Sequence, residues 1–205
     1  MVTLPPPVFL GFIAKKFHPV TPEEWDGAEE ICSVSKCIAP YPEGWDDNPF
    51  DPPSFNRAYC LTTVDDAWNR VAETEKASSR VFALRLIPAV FAESLSPTLY
   101  TADEYFNSLA SLPSLPDEPD LSAFERIGFD VNAKTPRENS VCWGWSCSPL
   151  SCNGMHQEFA VNRYCLIDQL DDAVKVAQSF SQTEPEPGPY VIVEVFRLRR
   201  EFDRA

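Results

Sequence analysis

Apolar residues run nearly unbroken through "VFLGFIAKKF" (8–17), "RVFALRLI" (80–87) and "YVIVEVF" (190–196), with turn formers or charge at their ends. Such short apolar runs predict strands. Between them the spacing changes. Asp65 and Asp66 are followed by Ala67, Val71 and Ala72, and Asp171 and Asp172 by Ala173, Val176, Ala177 and Phe180. Those offsets put the apolar positions on one face of a helix. Thr63 and Asp168 are the expected caps, and the paired carboxylates complement the helix dipole rather than carry chemistry. "TPEEWDGAEEI" carries helix-start signals in Thr21, Pro22 and Glu24. "CSVSKCI" and "AYCLTT" read as further strands, "YTADEYFNSLASL" as a helix capped by Thr101, and "LSAFERIG" as a helix capped by Asp120 and stopped by Gly128.

The two Asp-Asp segments belong to a phrase written twice. "NRAYCLTTVDDAWNRVA" begins at Asn56, and "VNRYCLIDQLDDAVKVA" begins at Val161. Upstream, "ICSVSKC" (31–37) is echoed by "VCWGWSC" (141–147), and "LGF" (10–12) by "IGF" (127–129); downstream, "RVFALRLI" is echoed by "YVIVEVF". Five landmarks in one order point to an internal duplication. Asn56-Arg57 and Asn162-Arg163 recur with it, which assigns them to holding loops. The expected fold is α+β: two related β-rich halves, each roughly strand-helix-strand-strand-helix-strand, packed as one compact body. The first half takes residues 1–98, a helical, proline-rich acidic connector takes 99–126, and the second half takes 127–205.

Composition narrows the function. The 205 residues carry a formal charge of −14, which disfavours nucleic-acid phosphates and anionic membranes and suits a basic protein partner. No apolar run reaches the roughly 20 residues of a membrane-spanning helix. At the N-terminus the lysines follow the apolar patch, the reverse of a secretory leader, so a cytoplasmic location is expected. Seven cysteines, an odd count, fit reduced thiols better than a disulfide framework. Within each C-x4-C the strand reading puts the two sulfurs on opposite faces, so no metal and no cofactor is expected.

Candidate chemistry is sparse. Phosphate-loop, H-E-x-x-H and G-x-S-x-G patterns are absent. Cys152 and His156, flanking an Asn-Gly turn, form the best thiol–base pair. The strand ending "YCLTT", the helix beginning "DDAW" and the strand "RVFALRLI" resemble the local layout of ADP-ribosyltransferase-like domains. That resemblance covers Tyr59–Ile87 and implies a late catalytic glutamate, for which Glu194 is the match. The first-strand Arg or His of those enzymes is missing from "VFLGFIAKK". The segment "PYPEGWDDNPFDPPSF" (40–55) offers the partner surface: Trp45, Phe50 and Phe55 as anchors among Asp46, Asp47 and Asp51. The expected function is therefore an acidic cytoplasmic protein-interaction module, an inhibitor or immunity-type protein that binds a basic partner. The alternatives are an enzyme with a pocket between the halves, using Cys/His or ADP-ribosyltransferase-like chemistry, and a structural accessory subunit.

Overall fold

A computed structural model describes residues 6–35, 37–43, 45, 56, 60–88, 119–136, 143–145, 147–183, 185–186 and 188–199. Its centre is one antiparallel sheet built from β1 (Val8–Lys16), β2 (Ser79–Ile87), β3 (Phe124–Pro136), β4 (Trp143–Trp145) and β5 (Tyr190–Leu198). The order across the sheet is β1-β2-β5-β3-β4. The three strands expected from the apolar runs are present, and they are buried along almost their whole length. Both faces are covered, which is why these strands read as runs rather than alternations.

Among the described residues three α-helices accompany the sheet: α1 (Val64–Asn69), α2 (Pro149–Cys152) and α3 (Leu170–Thr183). Thr63 caps α1, its hydroxyl accepting from the Asp66 amide at 3.0 Å. On α3, Ala173, Val176, Ala177 and Phe180 pack against Phe129, Val131, Ala133 and Ile192. Asp168 does not act as the cap of α3; its Oδ1 accepts from Asn162 Nδ2 at 2.7 Å instead. No helix among the described residues is long and apolar enough to cross a membrane.

Four expectations are corrected. Residues 22–27 turn but form no helix: Trp25 N–H donates to Thr21 O and Gly27 N–H to Pro22 O, and then Asp26 and Gly27 take positive φ. "CSVSKCI" has no strand among its described residues, and "AYCLTT" contributes a single bridge at Leu61. "LSAFERIG" is a turn held by Asp120, whose carboxylate accepts from the Ser122 amide and hydroxyl, followed by the start of β3. Among the described residues the first half gives the central sheet β1 and β2 with α1 between them, and the second gives β3, β4 and β5 with α2 and α3 between β4 and β5, which differs from the six elements expected of each. The helix expected at Thr101 lies outside the described residues, as do Arg57 and Cys142.

The same contacts recur in the two outer strand pairs. Gly11 and Gly128 both sit at register shifts with φ of +122° and +139°. Phe12 exchanges two backbone bonds with Leu61, and Phe129 exchanges two with Ile167. Asn56 Nδ2 donates to Leu10 O at 2.6 Å and Asn162 Nδ2 to Ile127 O at 2.8 Å. Asn56 N–H donates to Cys60 O and Asn162 N–H to Leu166 O. The place of Cys60 is thus taken by Leu166, so Cys165, one residue earlier, does not match it; Asp66 and Asp172 do match, each six residues further on. At the centre Leu84 faces Val195.

Candidate functional site

Period-two alternation sends Asp130, Asn132 and Lys134 of β3 to the sheet face opposite α3. All three are fully buried. A buried carboxylate needs donors, and two loops from different halves supply them. Ser33 Oγ and Val34 N–H donate to Asp130 Oδ2 at 2.9 and 2.8 Å, and Ser148 Oγ donates to Oδ1 at 2.5 Å. Burial pushes the Asp130 carboxyl above its ordinary value, against those bonds and the charge of Lys15. Lys15, also buried, donates from Nζ to Ser35 O at 2.5 Å. Loop 33–37 and loop 147–152 are tied at one point.

That tie gathers thiols. Cys37, Cys147 and Cys152 have Sγ atoms all within 4.8 Å of one another, with Cys37 and Cys147 at 3.7 Å. Ser35 Oγ lies 3.1 Å from Cys152 Sγ and accepts from the Cys37 amide at 3.1 Å. The main chain fixes the other two cysteines: Cys147 O accepts from Ala133 N–H, and Cys152 N–H donates to Ser148 O. A hydrogen bond with the Cys147 thiol brings Cys152 down to about 6, and the same bond, with burial, pushes Cys147 up. Cys37 is exposed and Cys152 partly so, whereas Cys32, Cys60 and Cys165 are buried. Burial raises Cys165 to about 12.

The spacing argument that kept the sulfurs apart concerned each C-x4-C by itself; among the described residues 32–37 forms no strand, and Cys147 lies just past β4, where it meets Cys37 of the other segment. The grouping joins positions 110 residues apart, which no local spacing reveals. Asp130 was missed as well. Its signal was present in "GFDVNAK", where polar residues at 130, 132 and 134 mark one face of a strand.

Three of the residues singled out from sequence, His156, Glu194 and Trp45, are committed elsewhere. His156 is buried and stacked on Trp25 with ring centroids 4.4 Å apart, and its Nδ1 lies 3.0 Å from Leu150 O. The thiol near it, Cys152, faces Ser35 and Cys147. Glu194, in the middle of β5, accepts from Arg85 Nε at 2.7 Å and Nη2 at 2.5 Å, and from Arg126 Nε at 2.7 Å. Three of the carboxylate's roughly four acceptor positions are thus taken by guanidinium donors, which holds it in an ion cluster. Trp45 is fully buried and stacked on Tyr41 with centroids 5.5 Å apart, so it serves the core and not a partner surface. Asp46, Asp47, Phe50, Asp51 and Phe55 lie outside the described residues.

A cleft of about 570 Å³ does open between residues of the two halves, lined by Phe17, Glu29, Glu30, Glu125, Arg163, Tyr164, Arg197 and Arg199. Arg197 organises it, donating to Glu30 at 3.1 Å, Glu125 at 3.3 Å and Tyr164 Oη at 3.0 Å. Burial alone would lower Arg197; Tyr164, Cys32, Glu30 and Glu125 around it hold it above its ordinary value. Arg163 pairs with Glu29 at 2.5 Å. Comparison of the chain with protein-family models, with curated proteins and with solved structures returned no match.

Proposed function

We propose that the protein is a binding module, made of two copies of one strand–helix–strand unit, that engages a basic protein partner without covalent chemistry of its own. The observation that carries this reading is the commitment of the catalytic candidates. Glu194 is spent on Arg85 and Arg126, and His156 is buried with its Nδ1 at Leu150 O, its ring on Trp25 and its Nε2 without a partner among the described residues, so it does not serve the Cys152 thiol as a base. The recurring glycine bulges and asparagine clamps support the two-copy origin. The cleft supports the binding. Glu29 and Glu125 leave 53% and 48% of their side chains exposed, so their carboxylates can meet a cation while Arg163 and Arg197 hold them in place. The overall charge of −14 steers a basic partner toward them. The acidic stretch holding Asp46, Asp47 and Asp51 adds to that field. With no apolar anchor at Trp45, recognition rests on charge and on Tyr164 in the cleft. A cytoplasmic setting, where thiols stay reduced, fits this reading.

The test is capture from extracts of the native cell on immobilised wild-type protein, beside a Glu29→Gln/Glu125→Gln double variant. Both positions are exposed enough for the fold to survive the change. A basic protein retained by the wild type should bind the variant more slowly, and the difference should shrink as salt shortens the Debye length. A retained partner that binds both proteins equally at every salt concentration removes the cleft from the account.

A further inference from the structure

We propose that Cys37, Cys147 and Cys152 form a zinc site that joins the two halves, with water as the fourth ligand. A tetrahedral zinc thiolate with Zn–S bonds of about 2.3 Å has sulfur–sulfur edges of about 3.8 Å. Cys37 and Cys147 already stand at 3.7 Å, and Cys152 completes a triangle whose sides are all within 4.8 Å. A disulfide would use two of the three sulfurs and need them near 2.05 Å. Core packing would bury them, as it buries Cys32, Cys60 and Cys165, yet Cys37 is exposed and gives an ion its way in.

The surroundings match a metal site built from the outside inward. Groups that hydrogen-bond to zinc ligands orient them and tune their basicity. Ser35 is placed for this: its hydroxyl is 3.1 Å from Cys152 Sγ and also receives the Cys37 amide. Asp130 holds both ligand loops from beneath through Ser33, Val34 and Ser148. Soft thiolates favour zinc and copper(I) over magnesium or calcium. Three protein ligands with one open vertex is the arrangement of an exchangeable or reactive zinc rather than a closed structural one. Binding replaces the S–H bonds of the protonated thiols with Zn–S bonds, releases those protons to solvent and changes no oxidation state. The inference stands apart from the partner reading, which involves none of these residues.

Cobalt(II) is the probe. Full-length protein, reduced and freed of metal under anaerobic conditions, is titrated with cobalt and then with zinc. One equivalent of cobalt should produce the intense visible bands of a tetrahedral site and thiolate-to-cobalt charge transfer in the near ultraviolet, and zinc should bleach both. Protons should be released as the ion binds. Cys37→Ser changes an exposed side chain and leaves the core intact; it should weaken the charge-transfer band and lower zinc affinity at least about tenfold. Cys152→Ser should do the same. The proposal is overturned if no cobalt–thiolate band appears, if Cys37→Ser binds as the wild type does, or if only copper(I) is taken up. A Cys37–Cys147 disulfide in the anaerobically reduced protein, in place of metal uptake, overturns it equally.

Discussion

Replacing Glu194 by Gln should make the protein unfold early. The carboxylate is 8% exposed and accepts from Arg85 Nε, Arg85 Nη2 and Arg126 Nε at 2.5–2.7 Å. The substitution removes the charge and turns an amide N–H₂ toward guanidinium donors, leaving two cations facing each other. Breaking one member of a fully buried ion cluster costs about 3–5 kcal/mol. Arg85 and Arg126 keep 25% and 42% of their side chains exposed, so water screens part of the loss and about 2–4 kcal/mol is the expected cost. For a chain of this size that corresponds to a fall in Tm of about 5–15 °C. Thermal and urea unfolding of wild type, Glu194→Gln, Arg85→Met and the double variant closes a cycle; the double should cost less than the sum of the singles. A Glu194→Gln protein as stable as wild type would refute the ion-cluster account and return Glu194 to the list of catalytic candidates.

Gly11→Ala and Gly128→Ala should each cost about 2–5 kcal/mol, from a strained positive φ and an added Cβ that meets the Leu61 carbonyl in one case and Leu166 and Asn162 in the other. The glycines lie three strand spacings apart, about 14 Å, so the two costs should add in urea unfolding; a neutral substitution at either would show that its bulge is relaxed in solution. Asp130 carries a pH signature. Its folded pKa is raised by burial, so its contribution to stability is full below the ordinary aspartate value near 4 and is lost as pH rises through the folded value. The stability of wild type relative to Asp130→Asn should therefore decline from about pH 4 toward neutrality, and a difference that grows with pH refutes the assignment.

The parts of the fold legible in the sequence were those with local causes. Phe9, Ile13, Val81, Leu84, Val193 and Val195 are buried on strands covered from both sides, and that coverage writes itself as an apolar run. Thr63 announced α1 because a cap acts within three residues. Where a distant partner decides, the local signal misled. Thr21 and Glu24 do bond each other, Oγ1 to Oε2 at 2.7 Å, yet the turn they start is stopped by Asp26 and Gly27 with φ of +52° and +92°. Asp120 captures the Ser122 amide as a helix cap would, but the chain beyond is claimed by β5, which pairs from Phe124 to Ala133. The thiol cluster is the extreme case. Cys37 meets Cys147 only because Asp130 binds a loop from each half.

The position of Asp130 sets the two strand pairs apart. Counting from the glycine bulges, Asp130 stands where the first strand pair has Ile13, and Asn132 stands where it has Lys15. Ile13 needs nothing but apolar neighbours and has them. Asp130 at the corresponding place cannot be buried without donors, and it draws in Ser33, Val34 and Ser148. What the two strand pairs share is therefore scaffold: bulge, asparagine clamp and helix start. What they do not share is the buried carboxylate, and the loops it recruits are the ones that carry Cys37, Cys147 and Cys152. A symmetric frame makes every shared feature structural by default, so the asymmetric positions are where a specific site has to be sought. The zinc proposal rests on one of them.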